Sequence, residues 1–191
     1  DSSQGVSKYV DRRYGHKDIN LEKGWDFLGR SVFNCCDGLN TTGKKPFRFH
    51  GKTTLTVLPR VSQQRIGHAR WYDFAILLKA WNHIYKSSSS LASEIKDYDL
   101  VEVTREVLEN LLDQRYKDSM KAYYKNDSVA FANHTTSFMN IIEDLEDLLA
   151  SNSYFMLGPW LEKAKSAASA NDTVAMKGNE FMARNLITLW G

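Results

Sequence analysis

Residues 138–168 read FMNIIEDLEDLLASNSYFMLGPWLEKAKSAA, and this stretch decides the fold class. Phe138, Ile141, Ile142, Leu145, Leu148 and Leu149 recur at i, i+3, i+4 and i+7, the spacing that gathers side chains on one stripe of an α-helix. Between them, Glu143, Asp144, Glu146 and Asp147 take the opposite face. Four clustered carboxylates invite a metal or acid–base reading. The same spacing turns them to solvent, and no histidine stands near to complete a site. The stripe breaks at Ser151 and Asn152, runs through Phe155, Met156, Leu157, Gly158, Pro159 and Trp160, and gives way to a charged helical pattern. Proline is tolerated in a first helical turn, and Gly158 supplies a hinge before it. The apolar cluster Phe155, Met156, Leu157 and Trp160 is expected to lock the corner between two helices.

Helical periodicity extends in both directions. Leu21, Trp25, Leu28 and Val32 form one stripe, with Asn20 as the expected N-cap. Phe74, Leu77, Leu78, Trp81 and Tyr85 form another, closed by the serines at 87–90. A longer helix is expected from Asp97 or Asp99 to about Lys125. Its apolar set is Leu100, Val103, Val107, Leu108, Leu111, Leu112, Met120 and Tyr123, wide enough to be covered on more than one side. Two further helices are expected over 159–168 and 172–190. Only TLTVL, residues 54–58, reads as a strand, and one strand cannot make a sheet. The expectation is all-α: an irregular helical bundle of about six helices forming one domain over 1–191, with a long irregular loop over 36–70.

That loop is basic. Between Asp37 and Asp73 there is no acidic residue, but there are Lys44, Lys45, Arg48, His50, Lys52, Arg60, Arg65, His68 and Arg70. One reading is an arm that attracts a polyanion such as a sulfated polysaccharide through Lys44, Lys45, Arg48 and Lys52. The other is a solvated linking loop, or one laid over a neighbouring domain.

A chain of 191 residues with 42% hydrophobic content can bury a core. A net charge of +2 does not point to nucleic acid, and no run is long and apolar enough to span a bilayer. The start, DSSQGVSKYV, lacks a basic-then-apolar leader and looks like an excision point. Cys35 and Cys36 are adjacent. A bond between neighbours is strained, so two thiols, or pairing with cysteines elsewhere, both stay open. Asn40, Asn126, Asn133 and Asn171 each open an N-x-[ST] acceptor pattern, which favours a glycoprotein of the secretory route. Five steps from Phe138, roughly 140° around the helix, Asn133 should face solvent. The competing reading, helix caps and turns, is strongest for Asn171. His16, His50, His68, His83 and His134 are not spaced as metal ligands. No nucleophile elbow, phosphate loop, H-E-x-x-H or C-x-x-C pattern occurs, so neither metal nor cofactor is expected.

The strings LLASNSYFMLGPWLEKAKSAA and NLITLWG, with RRYG at Arg12 to Gly15, SVFNC at Ser31 to Cys35 and YDLVEVTREVL at Tyr98 to Leu108, together resemble one family. They are similar, in order and approximate spacing from Arg12 to Gly191, to the C-terminal helical region of the lysosomal α-N-acetylglucosaminidases, glycoside hydrolase family 89. The resemblance implies a parent that hydrolyses terminal α-linked N-acetylglucosamine from heparan sulfate with retention. Its two catalytic carboxyl groups, about 5 Å apart, would sit in a preceding (β/α)-barrel, so none is expected here. It further implies that the barrel is this chain's partner, that the family's chain continues beyond TLWG, and a lysosomal or secreted location. Trp190 would stand near the cleft wall, with Arg184 and Thr188 on neighbouring turns, although a core role for Trp190 stays open. The adjacent cysteines and the pair Asn185-Leu186 depart from the family pattern, so no disulfide or polar contact carries over there. A homo-oligomer stays open, as does a second function: a secreted, non-catalytic helical interaction module.

Overall fold

The computed structural model describes residues 2–34, 72–88 and 94–188. These form seven helices and no strand: α1 (Ser2–Tyr14), α2 (Ile19–Arg30), α3 (Phe74–Ser88), α4 (Glu94–Tyr124), α5 (Ser128–Ala150), α6 (Leu157–Ser166) and α7 (Thr173–Thr188). The all-α expectation holds, with one helix more than the six expected: α1, whose polar sequence carries no clear stripe. The basic loop over 36–70, its Lys44, Lys45, Arg48 and Lys52, the TLTVL segment, Cys35, Cys36, Asn40 and Trp190 all lie outside the described residues. The chain divides into two compact units, one carrying α1–α5 and the other α6 and α7.

In the first unit α2 packs along α3. The stripe Leu21, Leu28 and Val32 is buried as expected, with Trp25 half-buried beside it. Facing it are Leu77, Ala80 and Ile84, none of them exposed to solvent. The stripe of α3 is therefore rotated from the one expected: Leu78 and Tyr85 are exposed. Gly24 explains the fit. A Cβ there would stand 2.6 Å from Ile84 Cγ1 and 3.3 Å from the Ala80 carbonyl oxygen, so only glycine lets the two backbones come this close. Helix α2 starts one residue before the expected cap, because Asp18 accepts from the Asn20 and Leu21 backbone N–H at 2.7 and 3.0 Å. Asp18, not Asn20, is the N-cap.

The α4–α5 junction is written into three residues, Asn126-Asp127-Ser128. Asn126 adopts φ 55°, the left-handed conformation that ends many helices. Its N–H donates to the Tyr123 carbonyl at 3.0 Å, and that of Asp127 to Ala122 at 3.0 Å. Asp127 then caps α5, its Oδ1 accepting from Ala130 N–H at 2.9 Å. Along α5 only Leu145 is fully buried, while Glu143, Asp144, Glu146 and Asp147 are all exposed. The carboxylate cluster is a solvated face.

His83 ties α3 to α2. Its Nδ1–H donates to Asn20 Oδ1 at 3.1 Å, and its ring stacks on Phe27 at 5.7 Å, with Arg30 over the same Phe27 ring at 4.8 Å. Burial, then the charges of Lys23 and Lys86, hold the imidazole below its ordinary pKa. An unfolded histidine takes its proton near pH 6.5, before the folded one does, so acid favours the unfolded chain. The histidine's contribution is complete above about pH 6.5 and is lost as pH falls through the folded value. Urea midpoints at pH 7 and pH 5 are expected to differ less in His83→Gln than in the parent sequence. Equal differences would remove His83 from the pH response.

In the second unit, Asn152 caps a short 3-10 turn (Ser153–Phe155), accepting from Tyr154 N–H at 3.0 Å. Helix α6 begins at Leu157, two residues before the start expected from Pro159. Its buried contact is Leu161, which with Ala183 forms the small core of α6 and α7. The expected lock differs from what is found: Met156, Leu157 and Trp160 are each more than a third exposed. A hydrogen-bonded cap, rather than an apolar plug, shapes this corner.

Candidate functional site

The residues of the family-like strings meet in a buried polar tie. From RRYG, the Arg13 guanidinium grips Asp99 with Nε on Oδ2 at 2.6 Å and Nη2 on Oδ1 at 2.5 Å. Tyr14 donates its hydroxyl to the same Oδ2 at 2.6 Å and accepts from Trp25 Nε1–H at 2.7 Å. Asp99 belongs to YDL on α4 and is only 5% exposed. One carboxylate therefore joins α1 and α4, and through Tyr14 reaches α2. Gly15, at φ 76°, ends α1 directly after these two anchors, and its N–H donates to Asp11 O at 2.9 Å. The electrostatics agree. The Asp99 hydrogen bond holds Arg13 firmly in its charged form. Burial and then Asp99 push the Tyr14 hydroxyl above its usual range, so it stays a donor.

A second cluster sits further along α4, in TREVLEN. Arg105 binds Glu102 Oε1 at 2.6 Å and Glu109 Oε1 at 2.5 Å. Glu106 accepts from the Tyr72 hydroxyl, which in turn accepts from Asn110 Nδ2–H at 2.9 Å. Burial works against the Arg105 charge, yet the Glu102 hydrogen bond and the Glu109 and Glu106 charges hold it above its ordinary value. Glu106 and Glu109, 6% and 5% exposed, are buried acids three residues apart. Each is already engaged: one neutralised by a guanidinium, the other held by a phenol. This is the arrangement of a structural charge cluster, not of an acid and a nucleophile facing a cleft. Two more buried polar contacts fix α3 to α4: Trp81 Nε1–H donates to Thr104 Oγ1 at 2.9 Å, and Lys96 Nζ donates to Ser87 O at 2.9 Å. The second places a cation at the negative end of α3.

Two open grooves are found among the described residues, the first bordering the Asp99 tie at Trp25. One, about 370 Å³, runs over Gly5, Val6, Tyr9, Trp25, Gly29 and Phe33. The Trp25 ring meets Tyr9 edge-on at 4.7 Å and stacks on Phe33 at 6.1 Å. The other, about 350 Å³, lies between α6 and α7, with Trp160, Ala164, Met182 and Leu186 on its walls. Of the wall residues named from the sequence, Arg184 is exposed and paired with Glu180 at 2.7 Å. Thr188 is the last residue of α7. The sequons Asn126, Asn133 and Asn171 are all exposed. Asp172, not Asn171, caps α7, accepting from Ala175 N–H at 2.9 Å. Among the described residues, no group of three or more His, Cys, Asp or Glu side chains could hold a metal, and no helix is long and apolar enough to cross a membrane. Sequence spacing missed the anchors Arg13, Tyr14, Asp99 and Arg105. The family-like strings contained all four.

A family model of the α-N-acetylglucosaminidase (NAGLU) C-terminal domain matches residues 6–191. The chain belongs to this family. A human α-N-acetylglucosaminidase is 29% identical over 194 residues, covering 100% of this chain and 24% of the relative. The chain thus spans about a quarter of that relative's length. Among solved structures, a family 89 glycoside hydrolase of Clostridium perfringens, in complex with 2-acetamido-1,2-dideoxynojirimycin, superposes with a TM-score of 0.82 at 22% identity. The same organism's family 89 enzyme with its substrate GlcNAc-α-1,4-galactose gives 0.80 at 21%. Each match covers 100% of this chain and 21% of the other. At such identities the likeness establishes the shared fold. In this NAGLU C-terminal domain the polar ties join four helices: α1 to α4 and α2 through Asp99 and Tyr14, and α3 to α4 through Trp81 and Lys96.

Proposed function

We propose that this chain is the helical buttress of an α-N-acetylglucosaminidase whose catalytic barrel hydrolyses terminal, non-reducing α-linked N-acetylglucosamine from heparan sulfate. The observation that carries this reading is the family match over 6–191, set against 24% coverage of the human enzyme. The chain corresponds to one supporting part, and the bond-breaking groups belong to the rest. The bacterial neighbour's substrate also ends in α-linked N-acetylglucosamine, which supports that sugar as the unit recognised. Heparan sulfate as the polymer, a secretory or lysosomal location, and the barrel as partner are part of the proposal, and the family membership supports them. Catalysis is by two barrel carboxylates about 5 Å apart, with retention at the anomeric carbon. This chain adds rigidity, and Trp190 adds a stacking surface for a pyranose at the cleft wall, with Arg184 and Thr188 beside it.

The test is the parent protein on an aryl α-N-acetylglucosaminide at acidic pH, with the anomer of the first product read by proton NMR. Release of the α-anomer is expected. No cleavage, or the β-anomer, would contradict the reading. Trp190→Ala in the parent is expected to lower kcat/KM about ten-fold while Trp190→Phe keeps most of it. Equal values for Ala and wild type would return Trp190 to a core role.

A further inference from the structure

Two of the exposed acceptor asparagines follow an aromatic residue at the same distance, in Tyr124-Lys125-Asn126-Asp127-Ser128 and Phe131-Ala132-Asn133-His134-Thr135. The fold treats them oppositely. Inside α5 two helical steps turn through about 200°, so Phe131 and Asn133 leave on opposite faces, and Phe131 packs on Tyr123 at 6.0 Å. At the α4–α5 turn the chain reverses. The left-handed Asn126 donates its N–H to the Tyr123 carbonyl, which folds it back over the last turn of α4. Two rings wait there in water: Tyr124 is 73% exposed and Tyr123 61%, edge to face at 5.7 Å. The Asn126 side-chain amide makes no hydrogen bond among the described residues, so attaching a group to it breaks nothing.

We infer that Asn126 carries an N-linked glycan whose first N-acetylglucosamine lies on the exposed Tyr124 ring and covers the α4–α5 turn. This rests on the secretory-route reading above and adds to it the site, the contact and the purpose. A pyranose has one face of C–H groups. Laid on a phenol ring, it removes apolar area from water with little entropy to lose, while its hydroxyls stay solvated. In the transfer, Asn126 Nδ2 attacks C1 of an oligosaccharide carried on a lipid diphosphate. The Nδ2–C1 bond forms, the C1–O bond breaks, the amide gives up one proton, and the lipid diphosphate leaves with the bonding electrons. A glycan on Asn133 has no such ring on its own face, with Val129 one turn before it.

The test uses the full-length parent secreted from a eukaryotic cell line. Glycopeptide mass spectrometry reads occupancy at each sequon, and hydrogen–deuterium exchange reads the amides over 121–131. Asn126 is expected to be occupied. Exchange in the intact protein, and in protein trimmed enzymatically to a single N-acetylglucosamine, is expected to be about five-fold slower than in Asn126→Gln. In a Tyr124→Ala background, a surface change, that difference is expected to vanish. Occupancy with protection indifferent to Tyr124 would overturn the stacking. A bare Asn126 beside other occupied sequons would overturn the site and leave the secretory reading standing. If every sequon is bare, both fall.

Discussion

Arg105→Met is expected to destabilise the first unit by about 3–5 kcal/mol, measured as a shift of the urea unfolding curve followed by tryptophan fluorescence. The cost is not the lost attraction alone. The Arg105 side chain is 11% exposed and that of Glu109 5%, so removing the guanidinium takes a charge-assisted hydrogen bond from a carboxylate that water scarcely reaches. Glu102, at 35%, can hydrate and contributes less. The same logic gives a second arm. Adding Glu109→Leu to Arg105→Met removes the buried carboxylate as well and is expected to restore most of the loss, because apolar replacement of a buried pair is commonly near neutral. A double variant as unstable as the single would show that packing, rather than charge, holds this stretch of α4.

Asp99→Ala comes next, at about 3 kcal/mol. It leaves a guanidinium without its bidentate partner and a buried phenol without its acceptor. Arg13 is 30% exposed and can turn to water, which sets this cost below that of Arg105. Asp99→Asn keeps the shape and one acceptor but loses the charge, and is expected to cost about half as much. Because Trp25 donates to Tyr14 and Tyr14 to Asp99, the Trp25 indole N–H resonance reports the tie directly. It is expected to move in both variants and in Tyr14→Phe. An unmoved indole with an unchanged urea midpoint would mean that α1 is not anchored through Asp99.

What spacing could reveal, and what it could not, follows from the range of each interaction. The stripes of α2 and α5 were legible because 3.6-residue periodicity fixes which side chains share a face: Leu21, Leu28 and Val32 are buried, and the four α5 carboxylates are wet. The register of α3 was not, since it depends on a partner. The glycine at 24 draws α2 onto Ala80 and Ile84, turning Leu78 and Tyr85 outward. Helix α1 was missed because its order comes from Arg13 and Tyr14 closing on Asp99, 86 and 85 residues away. No local pattern separates buried Asp99 from exposed Asp97. The corner after α5 was misjudged for a related reason. Met156, Leu157 and Trp160 look like a plug, but all three are more than a third exposed, and the Asn152 side chain and two backbone hydrogen bonds cap the turn.

The family strings did mark the anchors: RRYG holds Arg13 and Tyr14, YDL holds Asp99 and TRE holds Arg105, while Trp25, Tyr72, Glu109 and Asn110 stand outside all three. Their meaning becomes visible only when they are seen to touch. Arg13 and Tyr14 join α1 to α4 through Asp99, whereas Arg105 binds Glu102 and Glu109 along α4 itself.

The most direct measurement compares the purified 191-residue chain with its parent on the same aryl α-N-acetylglucosaminide. The parent is expected to release the phenol at acidic pH, and the isolated chain none above the buffer rate at any pH. Turnover by the chain alone would place a working acid pair among these helices and contradict the role of buttress.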